Sequence, residues 1–192
     1  MPPDIWVMLR PGEAFAQLAG GDSRSLWIAL RRPLLILLVL AAVGSLATSG
    51  RISLRLLLAC AAGAVYIPLF LLLSIIVARG RAVSLARAID LFFMGHGPWT
   101  LWLVALGAEW AFLPPERAYE LLAYRNLWYL AGFLAFLWSV IIDFWYLRRV
   151  FAKTAAQATR WLLLQRVVVW TTGMAIFLGN SGWQVICARL GW

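Results

Sequence analysis

The chain has 192 residues, of which 64% are hydrophobic and 13% are charged, and its formal net charge is +9. Soluble domains average about 45–50% apolar and about 25% charged residues, and a soluble globule of this length has too little interior to bury so much apolar surface. The composition therefore excludes an ordinary soluble domain and indicates an integral membrane protein. The basic residues lie between the apolar stretches, so they predict membrane topology and not nucleic-acid binding.

Residues 1–32 are predicted to form a cytoplasmic lead-in with short helices at the membrane interface. The pattern after Pro11 favours one short helix, and a second is predicted from a cap at Asp22 or Ser23 through Arg31. Apolar side chains alternate with arginines in this second stretch, which is typical of a helix lying on anionic lipid head groups. A simple connector fits the same pattern equally well.

Residues 33–192 are predicted to form an all-α bundle of transmembrane helices. A helix needs about 20 mostly apolar residues to cross a hydrocarbon core about 30 Å thick, and lipid offers unpaired backbone groups no partner. The predicted spans are residues 33–50, 56–78, 88–113, 126–147 and 167–188. With five spans, twelve basic residues fall on one side of the membrane and five on the other. The positive-inside rule then places the N-terminus in the cytoplasm and the C-terminus outside.

The first two predicted spans carry small residues four positions apart, a spacing that lets helices approach each other closely in a membrane. These pairs are Ala41 with Ser45 and Ala59 with Gly63. The loop between the two spans is short, so we expect an antiparallel hairpin. Pro68 lacks a backbone N–H, so we expect it to kink the second span.

The third predicted span contains two glycines and a proline, Gly95, Gly97 and Pro98, around the single histidine, His96. This run predicts a break in the helix, with a second helix starting near Trp99. Irregular backbone at membrane depth must be buried in protein or line a wet cavity.

Polar residues inside the predicted spans are the candidates for a functional site, because charge is costly within a bilayer. They are His96, Asp90, Glu109 and Asp143. Asp90 follows Arg87 by three residues and Asp143 precedes Arg148 by five, so ion pairs at the helix ends are the simple interpretation of these two acids. For His96 the simple interpretation is a hydrogen-bonded packing residue. The alternative is a base or a ligand to haem or a chlorin.

Sequence motifs of enzymes are missing from the chain: it has no G-x-S-x-G, H-E-x-x-H, phosphate-loop or C-x-x-C pattern. One histidine supplies no set of zinc ligands. We therefore expect no catalytic residues, no metal site and no cofactor.

Three stretches of the chain together resemble the bacterial branch of the Yip (Ypt-interacting protein) family. They are a Pro-x-x-x-Phe element at Pro11 to Phe15, a basic loop leading to a proline-broken span at Arg81 to Trp99, and an aromatic and basic stretch with an alanine-bearing loop at Trp145 to Ala158. The resemblance implies a five-span helical bundle in the bacterial cytoplasmic (inner) membrane. It also implies a non-enzymatic role in organising membranes or membrane proteins.

Three functions are compatible with the sequence. The first is a scaffold or accessory subunit that contacts membrane lipids, other membrane proteins or itself through its helices. The second is a small transporter or channel built around the broken third span, with His96 and Asp90 on the path. The third is a cofactor-binding membrane subunit that uses His96.

Overall fold

The computed structural model describes residues 1–21, 25–79, 83–112 and 121–177, together with residue 179. Within these residues the chain is all-helical and contains no strand, in agreement with the predicted fold class. The helices are α1 (Pro3–Leu9), α2 (Pro11–Leu18), α3 (Leu26–Ser49), α4 (Leu54–Ala64), α5 (Tyr66–Ala78), α6 (Leu85–Met94), α7 (Gly97–Phe112), α8 (Leu121–Arg149) and α9 (Ala155–Phe177).

Three helical stretches are long and apolar enough to cross a membrane. They are α3, α4 with α5 as residues Leu54–Ala78, and residues Asn126–Arg149 of α8. The pair α6 and α7 meets the same criterion jointly, bent by 52°, which would make four. The predicted fifth span, residues 167–188, falls partly in α9 and partly outside the described residues.

Helix α3 starts earlier than the first predicted span. Ser25 caps it by accepting a hydrogen bond from the Ile28 N–H, and the helix runs without interruption through Pro33. The predicted caps Asp22 and Ser23 lie outside the described residues. The described residues of the predicted second helix, 26–31, form the first turns of α3, and their place at the membrane interface stays a prediction.

The first and second candidate spans form the expected hairpin. Ala41 and Ser45 are fully buried, and the Ser45 hydroxyl donates to the Arg51 carbonyl oxygen at 2.9 Å, which fixes the turn. A Cβ atom on Gly44 would lie 3.1 Å from Sγ of Cys60, so glycine allows α3 and α4 to approach closely. Three residues before Pro68, the second span is divided at Val65 between α4 and α5.

The N-terminal segment, residues 1–21, folds back onto the bundle as part of its core. Val7 and Phe15 are fully buried, and the Phe15 ring packs edge-on against Tyr146 with 5.6 Å between centroids. The indole N–H of Trp138 donates to the Met8 carbonyl oxygen at 2.8 Å. These residues thus pack against the bundle as α1 and α2.

Candidate functional site

The helix break lies between Met94 and Gly97, and its backbone groups are paired locally. The Gly95 N–H donates to the Phe92 carbonyl oxygen at 3.0 Å, and the Thr100 N–H donates to the His96 carbonyl oxygen at 3.0 Å. The break therefore does not present a row of free backbone donors and acceptors to a ligand.

The two glycines of the break are required by close packing. A Cβ atom on Gly95 would lie 2.6 Å from Cγ2 of Ile142, and a Cβ atom on Gly97 would overlap Sδ of Met8. Glycine at these positions lets α8 and α1 reach the backbone between α6 and α7. Pro98 follows at the start of α7, where its missing N–H costs no helical hydrogen bond.

The Asp90 cluster joins α3, α6 and the N-terminal segment. The Asp90 side chain is 1% exposed, and Oδ1 accepts a hydrogen bond from Nε of Arg32 at 3.0 Å. Arg87 lies 3.8 Å from the other carboxylate oxygen. Arg32 also pairs with Asp4, and Arg87 donates from Nε to the Leu18 carbonyl oxygen at 3.1 Å. These contacts fasten both ends of the N-terminal segment to the bundle.

Sequence spacing identifies only the weaker partner of Asp90. The expected pair with Arg87, three residues away, is present, but the closer contact is with Arg32, 58 residues earlier. No local pattern indicates that partner, because the contact depends on how α3 packs against α6.

The Asp143 cluster joins α8 and α9. The Asp143 side chain is 2% exposed and Oδ2 accepts a hydrogen bond from Nη2 of Arg166 at 2.5 Å. Arg148, the neighbour suggested by the sequence, is not the partner shown, because the chain turns back after α8 and brings Arg166 alongside. The Arg166 guanidinium also lies over the Phe136 ring, 5.4 Å from its centroid.

His96 is 6% exposed and lies between the two helices of the bent pair. Its Nδ1 is 3.1 Å from the Phe92 carbonyl oxygen, and the rings of Phe92 and Phe93 lie 4.7 Å and 5.5 Å from the imidazole. A carbonyl oxygen only accepts, so Nδ1 carries the hydrogen and Nε2 of the neutral ring is left as an acceptor. His96 therefore packs against two aromatic rings and uses Nδ1 in a hydrogen bond, while its Nε2 atom can still accept one.

Glu109 lies on α7 apart from both clusters. One of its carboxylate oxygens is buried and has no hydrogen-bond partner in the part of the chain that the structure describes. The four polar residues singled out in the sequence thus lie in different parts of the fold and do not form one site. Among the described residues, no group of three or more histidine, cysteine, aspartate or glutamate side chains is placed to hold a metal.

A cavity of about 400 Å³ lies between α3, α5, α7, α8 and α9, beside the helix break. Its wall is mainly aliphatic and aromatic, and its polar lining includes His96, Ser139 and Arg166. Asp90 does not line it. The sequence does not predict this cavity, because its walls come from five helices.

The fold and its buried ion pairs define a class: an α-helical protein with three or four stretches suited to cross a membrane, and charged residues paired inside it. Comparison of the chain with protein families, curated proteins and solved structures finds no match in any of the three.

Proposed function

We propose that this chain is a multi-pass membrane scaffold or accessory subunit, which acts through helix–helix contacts with other membrane proteins or with a second copy of itself. The observation that supports the proposal is the outer face of α4. None of the residues of α4 is buried, and Ala59, Ala62 and Gly63 are all exposed there. A Cβ atom on Gly63 would meet nothing within 4 Å.

Small residues drive helix association in lipid because they allow backbones to approach and gain dispersion contacts. The chain uses one such pair internally, since Ala41 and Ser45 are buried in the hairpin. Ala59 and Gly63 have the same spacing and point to the outside. A second helix is the occupant that this face fits best.

The test is the substitution Gly63→Ile, with Ala108→Ile as its matched control, because Ala108 is an exposed small residue on α7. The tagged full chain is solubilised gently, captured, and its companions and oligomeric state are measured by quantitative mass spectrometry and sedimentation. A partner or second copy in fixed ratio should be retained by Ala108→Ile and reduced about tenfold by Gly63→Ile. A lone monomer, or equal retention by both variants, would reject the proposal.

We also propose five spans, with α6 and α7 forming one bent span, the N-terminus in the cytoplasm and the C-terminus outside, in a bacterial inner membrane. The basic count on the two sides supports this orientation. So does the contact of Gly12 with the Trp145 ring, since it brings the N-terminal segment to the same end as Arg148 and Arg149. A reporter that is active only outside the cytoplasm should be active when fused after Trp192 and inactive when fused before Met1.

Relationship to the Yip family is part of the same proposal. Two of the three stretches that carry the resemblance pack against each other: Phe15 of the first contacts Tyr146 of the third.

A further inference from the structure

We propose that the cavity between α3, α5, α7, α8 and α9 binds a neutral hydroxyl-bearing lipid, an apolar molecule that ends in an alcohol or phenol group. Its hydroxyl would lie among His96, Ser139 and Arg166, and its apolar body would fill the rest of the cavity. The inference concerns a different surface from α4 and does not depend on helix association.

The size and position of the cavity suit a ligand that arrives from the membrane. Its volume of about 400 Å³ lies within the range of about 300–1,000 Å³ that is usual for small-molecule sites. Two of its lining residues, Trp170 and Met174, are 60% and 57% exposed on the outside of the bundle. The cavity is therefore bordered by surface that faces hydrocarbon if α9 lies in the bilayer.

Among the polar groups of the lining, Arg166 offers a free donor, and His96 and Ser139 offer free acceptors. The buried Nε–H of Arg166 has no hydrogen-bond partner in the described part of the chain. His96 uses Nδ1 on the Phe92 carbonyl oxygen and keeps Nε2 as an acceptor. Ser139 donates its hydroxyl hydrogen to the Ala135 carbonyl oxygen at 2.9 Å and keeps its oxygen lone pairs. A ligand hydroxyl accepts from a donor and donates to an acceptor at once, so it satisfies this set with one group.

The charge of the lining favours a neutral ligand. Arg166 is the cationic residue of the wall, and its ion pair with Asp143 cancels that charge. An anionic head group would gain from Arg166 but would lie close to the Asp143 carboxylate, and burying an unpaired charge is costly. A ligand without a polar end would leave the Arg166 donor unsatisfied.

Arg166 and Met174 mark two ends of the lining that α9 contributes. Arg166 and Met174 are eight residues apart, which corresponds to roughly 12 Å along a helix axis. Gly173 lets the hydroxyl of Tyr66 pack closely against α9, because a Cβ atom there would lie 2.5 Å from that oxygen. The Tyr66 hydroxyl therefore lies near the Met174 end of the lining, and His96, Ser139 and Arg166 supply the polar groups that would hold the ligand hydroxyl.

The experiment uses the full chain in lipid nanodiscs and a medium-chain primary alcohol that carries a diazirine in its chain. Irradiation attaches the probe to the side chains next to it, and mass spectrometry of the peptides locates the label. Three matched probes have the same chain and end in a methyl group, a carboxylate or a quaternary ammonium. We expect the alcohol to label α9 between Arg166 and Met174, about fivefold to tenfold more than the methyl-ended probe, which corresponds to one or two net hydrogen bonds.

Two variants test the polar end. His96→Phe removes the acceptor and keeps an aromatic ring against Phe92 and Phe93, and Ser139→Ala removes the hydroxyl. Each should lower alcohol labelling about fivefold and leave labelling by the methyl-ended probe unchanged. Ser74→Ala is the control, because Ser74 is a hydroxyl residue outside this cavity that accepts from Gln165. It should change neither signal.

A variant at the rim keeps the test valid if His96→Phe does not fold. Met174→Trp enlarges an exposed side chain at the cavity edge, so it should leave folding intact and lower labelling by every probe. Equal labelling by the alcohol and methyl-ended probes, or labelling outside the cavity alone, would overturn the proposal. Stronger labelling by the carboxylate probe would overturn the proposal that the ligand is neutral, and would indicate that Arg166 binds an anion.

Discussion

Asp90 and Asp143 are alike in the sequence and in burial, with side chains 1% and 2% exposed, but their surroundings differ. Within the described residues, Asp90 pairs with Arg32 of α3 and Arg87 of α6, and the N-terminal segment covers these arginines. Asp143 is held by one arginine, and that arginine borders a cavity. Two buried acids of similar exposure therefore have different roles: Asp90 holds elements of the fold together, and Asp143 orients a cation beside a cavity.

The largest effect on stability is expected when the Asp90 carboxylate is removed. Asp90→Ala leaves Arg32 and Arg87 side by side without their shared carboxylate, so the free energy of unfolding should fall by about 3 kcal/mol. Titration with a denaturing detergent measures this change. Glu13→Ala is the control, because Glu13 pairs with Arg10 at 3.5 Å in an exposed ion pair, and it should change stability by less than about 0.5 kcal/mol. If both substitutions lowered the free energy of unfolding by the same amount, the proposed structural role of Asp90 would be rejected.

The second largest effect is expected where Met8 of the N-terminal segment packs against Gly97. Gly97→Val places a side chain where Met8 lies, and overpacking of this kind costs about 2 kcal/mol. Chymotrypsin should then cut after Phe15 faster than in the native chain, because Phe15 is fully buried and becomes accessible when α1 and α2 are displaced from the core. Gly20→Val has open space around its Cβ atom and should leave the cleavage rate unchanged. Unchanged cleavage in Gly97→Val would show that α1 does not depend on this glycine.

The smallest effect on stability is expected at Asp143. Asp143→Ala leaves Arg166 without its carboxylate, but the adjacent cavity allows water or a ligand to reach the guanidinium, so the loss should be about 1 kcal/mol. The same substitution should give the cavity a net positive charge. The carboxylate-ended probe should then label α9 more strongly than the alcohol. A loss as large as that of Asp90→Ala would mean that the two clusters do not differ in this respect.

The sequence by itself determined the all-helical fold class and the local signals of its helices. Apolar stretches without charge require a membrane or a very large core, and the structure has helices of that kind at three of the predicted places. Pro68 and the run from Gly95 to Pro98 mark local chain breaks, because they remove backbone donors or favour irregular conformations. The structure divides helices beside both.

Only the tertiary structure decided the partners of the buried charges and the existence of the cavity. Arg32 meets Asp90, Arg166 meets Asp143, and Phe15 meets Tyr146 across 58, 23 and 131 residues of chain. Periodicity and capping describe neighbours within a few turns, and they carry no information about which helix packs beside which. The cavity follows from the same cause, since its size depends on the side chains of five helices at once.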